Sequence, residues 1–192
     1  MRQAKWFLLV VIVLSLAAPA VMAQDGGEGL TIGFSQIGSE SAWRTAFTNA
    51  VQAEAEARGI NLLFSDAQQE QENQIAAITA WLAQGDVDAI VLAPVVTSGW
   101  DEVLMEAQDM GIPVVIVDRD VDADPSLYVT RVSSDFVHEG RLAAAWLVQA
   151  TSGQCNIAEL YGTVGSAAAE DRAAGFREVI AMFPGMQIIR SE

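Results

Sequence analysis

From Leu30 onward, short apolar runs alternate with longer stretches in which apolar residues recur every three or four positions. The runs LTIGF (30–34), INLLFSDA (60–67), DAIVLAP (88–94) and IPVVIVD (112–118) read as strands. Between them, WRTAFTNAVQAEAEARG (43–59) carries Trp43, Phe47, Ala50 and Val51 at helical spacing and is closed by Gly59. QENQIAAITAWLAQG (71–85), with Ile75, Ile78, Trp81 and Leu82 on one side, and GWDEVLMEAQDMG (99–111), ended by Gly111, repeat the theme. Strands that are apolar along their whole length are buried on both faces. Their strict alternation with helices predicts an α/β fold, a doubly wound parallel sheet with helices on both sides.

The same pattern continues with LYVTRVS (127–133) as a strand and HEGRLAAAWLVQAT (138–151) as a helix. CNIAELYG (155–162) follows as a strand, SAAAEDRAAGFREVIAMFPG (166–185) as a helix and MQIIRS (186–191) as the beginning of a further strand. The polar step Ser133-Ser134-Asp135 contains no Pro- or Gly-rich linker, so it reads as a crossover between two similar lobes. The expected organisation is a first lobe over 30–132, then a hinge crossover and an incomplete second lobe over 133–192, the chain being C-terminally truncated.

The residues before Leu30 have a different character. Arg2 and Lys5 precede an apolar run from Phe7 to Leu16, and Val21-Met22-Ala23 offers small residues for cleavage. Residues 1–23 therefore read as a cleavable secretory signal peptide, whose apolar core is too short to span a bilayer comfortably, and 24–29 as a flexible lead-in. The alternative is a retained N-terminal anchor. The net charge is −15, and the leader contributes only positive charge, so the exported remainder is more acidic still. A field of that sign repels nucleic acid and anionic lipid, while the 52% hydrophobic content excludes disorder. Cys155 is the single cysteine: a buried thiol, a reactive one, or half of a disulfide with its partner outside this chain.

In a parallel sheet of this type, ligands bind beyond the carboxyl ends of the strands, which directs attention to the loops after Phe34, Leu92, Val117 and Leu160. After the first strand come Glu40, Ser41, Trp43 and Arg44. An indole face stacks on the C–H side of a sugar ring, a guanidinium supplies a fixed fan of donors, and a carboxylate accepts hydroxyl protons. The competing reading makes Trp43 a core residue and Glu40–Arg44 a solvated i,i+4 pair. After the fourth strand stand Asp118 and Arg119, costly at a buried strand tip unless paired with each other or with a ligand. Arg172, one turn into the last helix, is a third guanidinium; its bland reading is a surface bridge to Glu170 or Asp171.

Other chemistry finds little footing. Asp118, Asp120, Asp122 and Asp124 imitate a calcium loop, but Ala123 stands where that loop needs Gly and Val129 where it needs Glu. GTVGSAAAEDRAAGF (162–176) lacks both GK[ST] and a complete GxGxxG. His138 is the only histidine, and no nucleophile elbow is present. No metal, cofactor or catalytic set is called for, although a carboxylate-only hydrolase is not eliminated by sequence.

GFSQIGSESAWR, DAQQEQENQI, IVLAPVVTSGW, VDRDVD and LYGTVGSAAAEDRAAGF together resemble the periplasmic sugar-binding proteins of ABC importers, of the ribose/galactose type (type I periplasmic binding proteins). Within that family the motifs are most similar to those of galactofuranose-binding members. The resemblance implies two lobes closing on one monosaccharide, no cofactor, a monomer, and delivery to membrane permease subunits served by a cytoplasmic ATPase. It assigns sugar contacts to Glu40, Ser41, Trp43, Arg44, Asp118, Arg119 and Arg172. One departure is Phe136 after Asp135, where relatives commonly carry Asn. Sensing through a chemoreceptor or sensor kinase is the alternative role; a repressor core of the same fold is disfavoured by the leader.

Overall fold

A computed structural model describes residues 29–192, so the expected signal peptide and nearly all of the lead-in lie outside the described residues. Strands β1 (Thr31–Gln36), β2 (Asn61–Asp66), β3 (Ala89–Leu92), β4 (Val114–Val117) and β5 (Thr130–Val132) form one sheet in the order β2-β1-β3-β4-β5. Every pairing in it is parallel. Helices α1 (Ala42–Ala57), α2 (Gln71–Gln84) and α3 (Asp101–Asp109) connect its first four strands. Helix α4 (Phe136–Thr151) leads to a second parallel sheet of β6 (Gln154–Glu159) and β7 (Gly185–Ser191), joined by α5 (Ala167–Ile180). The doubly wound α/β reading holds.

The main core forms where α2 and α3 cover the central strands: Ile78, Leu82, Ile90, Leu92, Trp100, Leu104 and Ile116 are all at most 2% exposed. Full burial on both faces does not extend to the edge. β2 is only partly covered, and Phe64 on it is 39% exposed, because an edge strand has one neighbour and α1 lies over it loosely.

Several boundaries shift for local reasons. α4 begins at Phe136, two residues before the expected start, because Asp135 caps it: its Oδ1 accepts from the His138 N–H at 2.9 Å. The expected strand over 127–133 shrinks to Thr130–Val132, since Pro125–Leu127 forms a 3-10 turn capped by Asp124. The expected helix over 166–185 stops at Ile180, and Pro184 falls in the turn that feeds β7.

In the second half α4 and α5 cross at glycine. A Cβ on Gly140 would lie 2.1 Å from the Arg172 carbonyl oxygen, and one on Gly175 would lie 2.0 Å from that of Val137. The two backbones thus approach as closely as bare glycine allows, with Ala144 and Ala173 buried nearby. Gly140→Ala and Gly175→Ala each force the helices apart, and each is expected to destabilise the protein by about 3 kcal/mol or more. Denaturant unfolding checks this, and a loss under about 1 kcal/mol for either variant contradicts the tight crossing.

Candidate functional site

The strand order reverses direction between β1 and β3, so the connections leaving these two strands diverge and open a crevice at their carboxyl ends. Gln36 to Arg44, the segment from Ala93 to Trp100, and Asp118 with Arg119 all emerge there.

Arg44 is the centre of the first cluster. Although it sits in the first turn of α1, it is only 3% exposed. Its Nη1 donates to Asp118 Oδ2 at 2.8 Å and to Gln36 Oε1 at 3.2 Å, and its Nε donates to Glu40 Oε1 at 3.3 Å. A buried guanidinium is tolerable only with such partners, since an unpaired ion there costs several kcal/mol. Ser41 caps the same helix, its Oγ accepting from the Arg44 N–H at 3.1 Å, which fixes where the side chain departs.

Trp43 is 59% exposed and is not the core residue that helical spacing permitted. It rests on Phe47, ring centroids 5.5 Å apart, and Phe47 meets the fully buried Phe34 at 5.7 Å. The Arg44 guanidinium carbon lies 4.9 Å from the indole centroid. One edge of the plate is therefore anchored through an aromatic row to the core, leaving much of it accessible.

Asp118 and Arg119 do not pair with each other as the sequence allowed. Asp118 adopts a left-handed backbone conformation (φ 66°), a region an aspartate enters more readily than most residues, and its carboxylate pairs with Arg44. Arg119, half-buried, donates from Nη1 to the Val95 carbonyl at 2.8 Å. Burial foremost, then the Arg44 charge, lowers its pKa, while Asp118 and Glu40 act in the opposite sense.

Arg172 also has a different partner from the two neighbours proposed for it. Its Nε donates to Glu139 Oε2 of α4 at 2.8 Å, and its guanidinium carbon lies 4.4 Å from the Phe136 ring centroid. Phe136 is thus the face on which Arg172 lies. A cavity of about 810 Å³ opens between α4, α5 and β6, with Arg119, Glu139, Tyr161 and Arg172 among its lining. Arg119 bridges the two groups of residues: it lines this cavity and feels the charges of Arg44, Asp118, Glu40 and Arg172. Glu40, Ser41, Trp43, Arg44 and Asp118 do not line it.

Two residues outside the expected set belong to the geometry. Gln36, fully buried, accepts from Arg44 and donates Nε2 to Thr48 Oγ1. Gln74, also fully buried, stands one and two turns before Ile78 and Leu82 on the buried face of α2. A polar residue on an apolar stripe was the available signal.

The chain matches the family model for the periplasmic binding protein domain over residues 32–192. It is 50% identical to the galactofuranose-binding protein of Escherichia coli strain K12 over 184 residues, covering 95% of this chain and 58% of that one. Among solved structures it is similar to the arabinose transporter binding component of Shewanella sp. ANA-3 bound to α- and β-L-arabinofuranose. That match has a TM-score of 0.81 and 60% identity, over 84% of this chain and 54% of the other. A crystal structure of a galactofuranose binding protein superposes with a TM-score of 0.82 at 54% identity, over 85% and 55% of the two chains. The chain thus spans little more than half the length of these relatives.

Removing the Asp118 carboxylate strands a buried charge. Asp118→Ala is therefore expected to destabilise the fold by about 2–4 kcal/mol, read from the urea midpoint; a change within about 0.5 kcal/mol refutes the Arg44 pairing as a structural anchor. Asp171 behaves in the opposite sense. Burial, then the charges of Asp120 and Asp135, raises its pKa, against the pull of Arg131. A carboxyl raised in the folded state contributes stability below its unfolded pKa and loses it as pH rises through the folded value. Asp171→Asn is thus expected to raise Tm near pH 7 and to leave it unchanged near pH 3, measured by thermal melts; a drop near pH 7 contradicts the sign.

Proposed function

The chain belongs to the periplasmic binding protein domain family, and on that premise we propose that its protein is the non-catalytic, substrate-binding component of an ABC sugar importer. It acts as an exported monomer, captures one monosaccharide and delivers it to a membrane permease. The observation that carries this reading is the grouping at the carboxyl ends of β1, β3 and β4: an accessible indole beside a pre-oriented Arg44–Asp118 pair, with Arg119 alongside.

Trp43 offers a flat apolar surface to the C–H side of a sugar ring. Arg44, held by Gln36, Glu40 and Asp118, has its direction fixed before a ligand arrives, which lowers the ordering cost of binding. Arg119 and Arg172 hold donors toward the cavity, while Glu40 and Asp118 accept hydroxyl protons. The Ser41 hydroxyl accepts from its helix and keeps its own proton to donate. Arg44, Arg119 and Arg172 are matched in number by Glu40, Asp118 and Glu139, a balance that suits an uncharged polyhydroxylated ligand. Relatives named for galactofuranose and arabinofuranose support a furanose, with galactofuranose first.

A sugar touching the segments after β1 and β4 and also Arg172 on α5 binds a closed arrangement better than an open one. Binding then shifts the population toward closure.

Calorimetric titration of the full-length protein against galactofuranose, galactose, ribose, arabinose and inositol tests the reading. Trp43→Ala and Arg172→Ala are each expected to weaken binding by about a hundredfold or more, a loss in keeping with a central aromatic or arginine contact. Both side chains are substantially exposed, so the fold is expected to survive. Absence of binding to every sugar in the panel overturns the proposal, and undiminished affinity in both variants overturns the site.

A further inference from the structure

The segment that follows β3 is fastened by side chains rather than by a turn of its own. Gln74 Nε2 donates to the Ala93 carbonyl at 2.7 Å and lies 3.3 Å from Ser35 Oγ, while Gln74 Oε1 accepts from the Val95 N–H at 2.9 Å. Trp100 Nε1 donates to the Val96 carbonyl at 2.7 Å. Gln74 and Trp100 are both fully buried. Between these two anchors the Val95 carbonyl points to Arg119 and accepts from its Nη1 at 2.8 Å. Two residues on, Thr97 donates its N–H to the Gly165 carbonyl at 2.9 Å, so the same segment also meets the loop between β6 and α5.

We propose that Gln74 is a positioning residue for Arg119: by holding Val95 through its N–H, it sets the carbonyl that aims the Arg119 guanidinium into the cavity, and so tunes sugar affinity without touching sugar. Only an amide fits this place. Its nitrogen faces the Ala93 carbonyl and its oxygen faces the Val95 N–H, so a carboxylate turns the first contact into two opposed acceptors. An apolar side chain leaves both backbone groups unpaired. The effect on affinity rests on the sugar-binding reading above; the effect on Arg119 itself does not.

The test therefore reads Arg119 directly as well as sugar binding, in the full-length protein. Nitrogen-15 NMR of arginine guanidinium groups compares wild type with Gln74→Met and with the milder Gln74→Asn, folding being checked by circular dichroism. The Arg119 signals are expected to be restrained in the wild type and to average in Gln74→Met, with Gln74→Asn in between. Sugar affinity by calorimetry is expected to fall about tenfold in Gln74→Met, on the scale of one or two lost hydrogen bonds. In an Arg119→Lys background the same substitution is expected to cost less than about twofold, because coupled residues are non-additive. Unaltered Arg119 signals in a folded Gln74→Met or Gln74→Asn protein overturn the inference whether or not sugar binds. An equal loss of affinity in both backgrounds also overturns it. Averaged Arg119 signals in a protein whose wild type binds no sugar uphold the positioning role and remove the sugar reading alone.

Discussion

Arg44 brings a full positive charge under the surface at the point where the first strand hands over to the first helix. Water no longer solvates that charge, so its position is acceptable only while Gln36, Glu40 and Asp118 surround it. Gln36 and Glu40 come from the same stretch of chain as Arg44, but Asp118 comes from the end of β4, 74 positions away. The ion therefore requires the sheet to be assembled in the right order before it is stable, and in return it ties α1 to the far side of β3. A helix that otherwise lies loosely over the sheet is pinned at its first turn. The Ser41 cap and the Trp43–Phe47–Phe34 row hold the same turn from either side.

The alternation of apolar runs and helical stripes was enough to read the parallel sheet and nearly every element in it, because burial on a helix-covered sheet leaves a simple pattern. The misread boundaries have local physical causes. Asp135 starts α4 early by capping, and the 3-10 turn at Pro125–Leu127 consumes the front of an expected strand. At the candidate site, residues could be singled out for attention because charge and aromatic surface are unusual at strand ends. Of their pairings only the local one, Glu40–Arg44, was legible, and it is buried at Arg44 rather than solvated. Asp118 lies next to Arg119 in sequence yet bonds to Arg44, 74 positions away, and Arg172 reaches over to Glu139 instead of along its own helix. Pairing of this kind is decided by helix and strand placement in space. Gln36 and Gln74 escaped for a related reason: an amide carries no charge to attract notice, and its role depends on which peptide groups the fold brings within reach.

The two sheets are held by different means. The first has a broad aliphatic and aromatic core, with Trp100 and Ile116 fully enclosed. The second relies on α4 and α5 touching backbone to backbone at Gly140 and Gly175, with a smaller cluster around Ala144, Ile157, Ile180 and Met186. That close crossing brings Glu139 and Phe136 of α4 within reach of Arg172 on α5. Packing distance in the second half and side-chain direction at the cavity wall are therefore one and the same constraint.

Asp118 is subject to two filters that act on different parts of the residue. Its backbone lies in the left-handed region, which glycine, asparagine and aspartate enter with least penalty. Its side chain must carry the negative charge that Arg44 needs, which restricts the choice to aspartate or glutamate. Aspartate meets both demands with the least backbone penalty, whereas the longer glutamate enters that region less readily. Replacement of this residue therefore tends to sacrifice either the backbone conformation or one of the two carboxylates that balance Arg44.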